Sequence, residues 1–190
     1  MNQYAGRSLE ALVAVLALGL FSLLPVAPAH AADAKSIDAS ADAALTRFKK
    51  EVKGAQDYLK SAKGVLVMPD VKKAGFVVGG QWGEGALQVG GKTVDYYKME
   101  VGSVGFQAGY QKSNFVFLFL TQEALDEFRA SKGWTAGVES GITVVESGIG
   151  GSLDTLKGRN SVVGFAFGKE GLMGGWSATG AKFTKIMPDK

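Results

Sequence analysis

Between Arg47 and Lys73 the chain carries eight basic side chains (Arg47, Lys49, Lys50, Lys53, Lys60, Lys63, Lys72 and Lys73) against three acidic ones, a local net charge of +5 where the whole chain has +3. Cations at this density attract anionic surfaces. Near a negatively charged bilayer each Lys or Arg contributes about 1 kcal/mol, so such a cluster can hold a domain there reversibly. The stretch from Lys72 to Gly85 places two lysines ahead of glycines, and the backbone N–H groups of Gly79 and Gly80 are candidates for a nest that cradles phosphate. Neither GxGxxG nor the Walker spacing is present, so no nucleotide loop is implied, and strand curvature accounts for the same glycines. Trp82, Trp134 and Trp176 suit head-group depth if exposed and the core if buried. Core packing is the expectation for the set, with Trp82 kept beside Gly79 and Gly80 as a secondary lipid contact. Glu84 reads as a turn residue.

Catalytic chemistry has little to work with. The chain has no cysteine, and its one histidine, His30, lies in a segment expected to be removed. A Ser-His-Asp or Cys-His nucleophile and an ordinary zinc site are then out of reach. Gly175-Trp176-Ser177-Ala178-Thr179 comes nearest to a nucleophile elbow and lacks its second glycine and a base. The expectation is a binding protein, not an enzyme, with no cofactor and no metal.

The segment that removes His30 is the N-terminus. Arg7 precedes an apolar run from Ala11 to Leu24, Pro25 and Pro28 break it, and Ala29-His30-Ala31 presents small residues where a signal peptidase looks. At about 14 residues the run is short for a membrane span. Met1–Ala31 is expected to be a signal peptide cleaved after Ala31, leaving a single domain from Ala32 to Lys190. That domain would be exported, periplasmic or peripherally membrane-associated. Without cysteine it cannot be a lipoprotein, nor can disulfides stabilise it.

The elements that must position the basic residues follow from periodicity. Ile37, Ala41, Ala44, Leu45, Phe48, Val52, Ala55, Leu59 and Ala62 recur at helical steps, with Gly54 dividing a long helix from a shorter one that ends near Gly64. Their apolar stripe either packs on the rest of the fold or inserts in lipid. From Gly64 onward the pattern turns to strands. Val65–Met68 is stopped by Pro69-Asp70, and Gly75–Trp82 runs into a Gly83-Glu84-Gly85 turn. Ala86–Val89 and Thr93–Lys98 form a hairpin around a three-residue Gly90-Gly91-Lys92 loop. Val101–Tyr110 and Asn114–Leu120 are separated by Gln111-Lys112-Ser113, and Phe115–Leu120, apolar on both faces, belongs at the centre of the core. Thr121 caps a helix to Ala130, closed by Gly133-Trp134. The strands Gly141–Glu146, Ser161–Phe167, Gly171–Trp176 and Lys182–Ile186 follow, with Ser147–Asn160 as a loop. Twenty-five glycines among the 159 residues from Ala32 onward favour a curved sheet. The fold class is α+β: an N-terminal helical segment and one further helix on a curved, mainly antiparallel glycine-rich sheet or partial barrel.

Taken in order, these segments resemble the SYLF domain, a lipid-binding family found in exported bacterial proteins and in eukaryotic trafficking and actin-patch proteins. The residues that carry the resemblance run from Ala62-Lys63-Gly64-Val65-Leu66-Val67-Met68-Pro69 through Val71–Gly80 to Gly83-Glu84-Gly85-Ala86-Leu87. Tyr96-Tyr97, Gly105–Gly109, Ala124-Leu125, Phe128, Gly133-Trp134, Gly171-Leu172-Met173 and Gly180–Ile186 continue it. Trp82 stands where Tyr is commoner, and Gln81 where Glu is often seen. The resemblance implies binding to membrane lipid head groups, phosphoinositides in eukaryotic members. In an exported bacterial protein the corresponding partner is generic anionic phospholipid. Nucleic acid is not expected as a partner, because the basic excess is modest and export removes it. The competing reading is an envelope structural or assembly protein that self-associates or binds protein partners through its glycine-rich β region.

Overall fold

The computed structural model describes residues 32–75, 78–104, 109–136, 142–146, 160–171 and 180–189. Ala32–Lys190 is one compact unit. Helix α1 spans Ala34–Glu51, opened by Asp33, whose carboxylate accepts the Ser36 N–H at 2.7 Å. Ile37, Ala41, Ala44, Leu45 and Phe48 form its buried face. Val52 is extended and Gly54 takes φ 80°, a left-handed turn that starts α2, Ala55–Ser61, in a new direction. Thr121 caps α3, Gln122–Ala130, by accepting the Ala124 N–H at 3.2 Å. All three helices lie where the sequence pattern puts them.

The strands are β1 (Gly64–Gly75), β2 (Val78–Val89), β3 (Lys92–Val104), β4 (Gly109–Phe119), β5 (Trp134–Thr135), β6 (Ile142–Glu146), β7 (Val162–Gly171) and β8 (Lys182–Ile186). They make one eight-stranded sheet in the order β5-β8-β3-β2-β1-β4-β7-β6. Among the described residues it is open, and every pairing is antiparallel except β6 with β7. The α+β expectation holds, with helices on both faces. The outer face carries Val67, Ala86, Val116, Leu118, Val163, Phe165 and Phe167 under α1 and α2. The inner face carries Leu66, Met68, Val71, Met99, Phe115, Phe117, Phe119 and Phe183 with α3. Strand β4, between β1 and β7, is buried on both sides over Asn114–Phe119, which is why its run does not alternate.

Several strand limits differ from the sequence reading, each for a local reason. Pro69-Asp70 does not stop β1. The register shifts there, Asp70 adopts φ 46°, and its N–H donates to Asn114 Oδ1 at 3.1 Å. A bulge thus absorbs the proline that has no N–H to give the ladder. Gly83-Glu84-Gly85 is not a turn but the middle of β2, paired with Met99, Lys98 and Tyr97 in that order. A Cβ on Gly85 would lie 2.0 Å from the Val67 carbonyl oxygen, so glycine serves close strand approach at that point. The β2–β3 hairpin turns on two residues, Gly90 and Gly91, at φ 58° and 77°, with Val89 paired to Lys92, in place of the three-residue loop. Gln111-Lys112-Ser113 does not separate strands but belongs to β4, as does Tyr110. Helix α3 is closed by Ser131, and Trp134 begins β5. The expected strand Gly171–Trp176 and loop Ser147–Asn160 fall largely outside the described residues.

Candidate binding surface

The apolar stripe of α1 is committed to the sheet. Phe48 packs between Phe165 and Phe167, with ring centroids 5.3 and 5.4 Å away, and Tyr58 of α2 packs on Phe165 at 5.0 Å. Polar contacts fix the other end of α1. Thr93 and Tyr96 donate to Asp38 at 2.8 and 3.0 Å, and burial followed by that hydrogen bond raises the Tyr96 pKa. Glu84, read as a turn residue, instead accepts the Ala32 backbone N–H at 3.0 Å. The face left to solvent is the charged one, where Lys49, Lys50, Lys53, Lys60 and Lys63 are all exposed.

Arg47, at the same end, is half-buried and engaged. It pairs with Glu51 one turn on and with Glu170 of β7 at 3.3 Å; the hydrogen bond to Glu51, then that to Glu170, raises its pKa. Glu170 is paired in register with Lys112, and Lys112 with Lys72. The ion pair therefore brings the last turn of α1 to a cross-strand row on the outer face. Lys112 is a basic member of this surface that sequence reasoning missed. Its neighbours in sequence gave no sign, and register alone joins it to Lys72.

Lys73 is the correction to the proposed set. It points to the inner face and is 4 % exposed, and desolvation lowers its pKa. Gln81 and Gln111 flank it in register, themselves 4 % and 3 % exposed, and the side-chain oxygens of both glutamines lack a hydrogen-bond partner. Lys73 is thus part of a buried polar row and not of a lipid-facing surface. Gly79 and Gly80 form no nest. They sit within β2, paired with β1 on one side and β3 on the other, so their backbone groups belong to a ladder.

The tryptophans divide. Trp134 packs on Phe128 and Phe183 at 5.2 and 5.8 Å, as core packing requires. Trp82 departs from that expectation: it is 43 % exposed on the outer face. Trp176 lies outside the described residues. A second buried charge, Asp95, is held by Arg129 at 2.9 Å and by Lys185, tying α3 and β8 to β3. Beside it, burial and then the Asp95 charge push Tyr97 up to about 12.

Among the described residues no helix is long and apolar enough to cross a membrane, and no group of three or more His, Cys, Asp or Glu could hold a metal ion. What the fold presents is an open sheet clamped by helices, with its free charges outside: an α+β domain with a basic outer surface. Residues 100–187, just under half of the chain, match the Ysc84 family model, described as "Las17-binding protein actin regulator". Ysc84 and SYLF name the same family, so the match over residues 100–187 is to the family that the sequence resembles. The match starts in β3, so the Ala62–Leu87 stretch lies ahead of it. Comparison with curated proteins returns no match.

Proposed function

We propose that the chain is an exported domain that docks reversibly on anionic phospholipid head groups and performs no catalysis. The observation that carries this reading is the division of α1 and α2. Their apolar face is buried on the sheet, while Lys49, Lys50, Lys53 and Lys60 stand in solvent. With the stripe occupied, attraction to a bilayer is electrostatic and not insertional. Processing after Ala31 is supported by the setting of Ala32. Cleavage there converts the backbone N–H that faces Glu84 at 3.0 Å into an ammonium group facing a carboxylate.

Flotation of Ala32–Lys190, which contains both cores, on phosphatidylglycerol-containing vesicles tests the proposal. Binding is expected to be strong at low salt, to weaken steeply with added salt, and to be absent on pure phosphatidylcholine. Equal partitioning on both vesicle types, unchanged by salt, would contradict it. The second reading, a domain that binds a protein partner, rests on the family's description as a partner-binding regulator. Cross-linking of lipid-free protein separates the two: a strict monomer that still binds vesicles removes self-association.

A further inference from the structure

Among the described residues, helix α1 leaves one end of the outer face uncovered. There the pairings form a row across five strands, Glu100–Trp82–Lys72–Lys112–Glu170. Its outer members are engaged: Glu100 pairs with Lys98 at 3.1 Å, and Glu170 with Arg47. Lys72 and Lys112 stand directly opposite each other on neighbouring strands, and among the described residues no carboxylate forms an ion pair with either. Like charges in that position destabilise a sheet. The adjacent row contains Gly102, Gly80, Ala74 and Tyr110, a floor almost without side chains bounded by one aromatic residue. Tyr110 is 48 % exposed, so it and Trp82 are large amphipathic rings standing in solvent on either side of β1, about 10 Å apart across the strands.

We propose that this uncovered end, with Trp82 and Tyr110 flanking the Lys72–Lys112 pair, is a second contact surface that seats on an anionic phospholipid bilayer. A lipid phosphate between the two ammonium groups relieves their mutual repulsion. Trp and Tyr are the side chains that favour head-group depth, where the ring is shielded and its N–H or O–H stays wet. Positive charge between two such rings suits a bilayer of negative surface potential better than a free phosphate, which uses the lysines but leaves both rings in water. Arg47 links this surface to the lysines of α1 and α2, so the two contacts act on the same membrane. The proposal rests on the lipid-binding reading and adds to it where, and by which side chains, the sheet touches lipid.

The test uses phosphatidylglycerol/phosphatidylcholine vesicles with bromine on the acyl chains next to the head group. Trp fluorescence of the parent protein is expected to be quenched, and quenching should largely disappear in Trp82→Phe. Lys72→Gln with Lys112→Gln should weaken partitioning about 25-fold, at about fivefold per lysine. Tyr110→Ala should weaken it further. The Trp82 and Tyr110 variants should keep the parent's thermal midpoint, since these rings are exposed, and the lysine double variant should unfold at or slightly above it, since a like-charge pair is removed. Inorganic phosphate in place of vesicles should leave the fluorescence unchanged. If the parent binds and these variants bind equally well, the sheet-end contact is wrong and the lipid-binding reading stands. If binding of inorganic phosphate alone gives the full response, the bilayer assignment is wrong. If the parent does not partition at all, both fail.

Discussion

The two ends of one sheet are built for different purposes. Around Leu66–Met68, β1 and β4 are apolar on both faces, with α1 and α2 covering one side and α3 packed on the other. A few residues on, past the bulge, the same strands carry Lys72 and Tyr110 outward and Lys73 and Gln111 inward. Folding free energy is concentrated at the first end. The second keeps an exposed like-charge pair and a buried polar row, features that cost stability, so their presence calls for a role outside folding. The bulge at Pro69-Asp70 is the hinge of the contrast, since it resets the face assignment between the two halves of β1.

Substitutions should separate the ends, and the largest effect belongs to the covered one. Phe48→Ala removes the ring between Phe165 and Phe167 and is expected to cost about 3–5 kcal/mol in urea unfolding. A loss below 1 kcal/mol would mean that α1 is not clamped to the sheet. Next comes a glycine pair. Gly85→Ala drives a Cβ against the Val67 carbonyl and should cost about 1–3 kcal/mol. Gly102→Ala, with nothing within 4 Å of its Cβ, should stay within about 0.5 kcal/mol in the same measurement. Equal costs would erase the difference between the ends.

Much of the covered end is legible in sequence, and less of the open one. Steps of three and four from Ile37 to Phe48, the Gly54 break and the Thr121 cap are local signals, and the helices follow them. Lys182–Ile186 and the unbroken apolar run in β4 are equally local. The failures share a cause. Pro69-Asp70 and Gly83-Glu84-Gly85 carry the residue types of breaks and turns, yet here they serve a bulge and a close strand approach, which depend on the neighbouring strand. The candidate surface suffers most from this. Lys72 and Lys73 are adjacent in sequence and look alike, but strand alternation sends one to solvent and the other to the interior. Lys112 and Tyr110 join Lys72 and Trp82 only through register.

The buried lysine offers a sharper and smaller test. Because desolvation lowers the folded-state pKa of Lys73 below 10.5, the unfolded chain binds more protons between the two values. Stability from this group is therefore full above pH 10.5 and is lost as pH falls through the folded-state value. The advantage of Lys73→Met over the parent in urea should be greatest at neutral pH and shrink toward pH 10.5. A gap that widens with pH would reverse the sign. A modest loss is expected at the start of α1. Glu84→Gln should lower the stability of a chain beginning with a free Ala32 amine by about 1 kcal/mol, and that of an N-acetylated chain by less. Equal losses would remove the ammonium–carboxylate contact from the account.

The absence of cysteine makes the most direct measurement simple, since a single introduced thiol can be labelled without competition. An environment-sensitive fluorophore is placed at Tyr110→Cys on the open end and, as the control, at Val94→Cys, another exposed position near the Gly90–Gly91 turn. On adding phosphatidylglycerol vesicles the label at 110 should shift to the blue and the label at 94 should not, with both silent on phosphatidylcholine. A shift at 94 with none at 110, or no shift at either site while the protein is vesicle-bound, would contradict the assignment of the open end as the lipid-facing one.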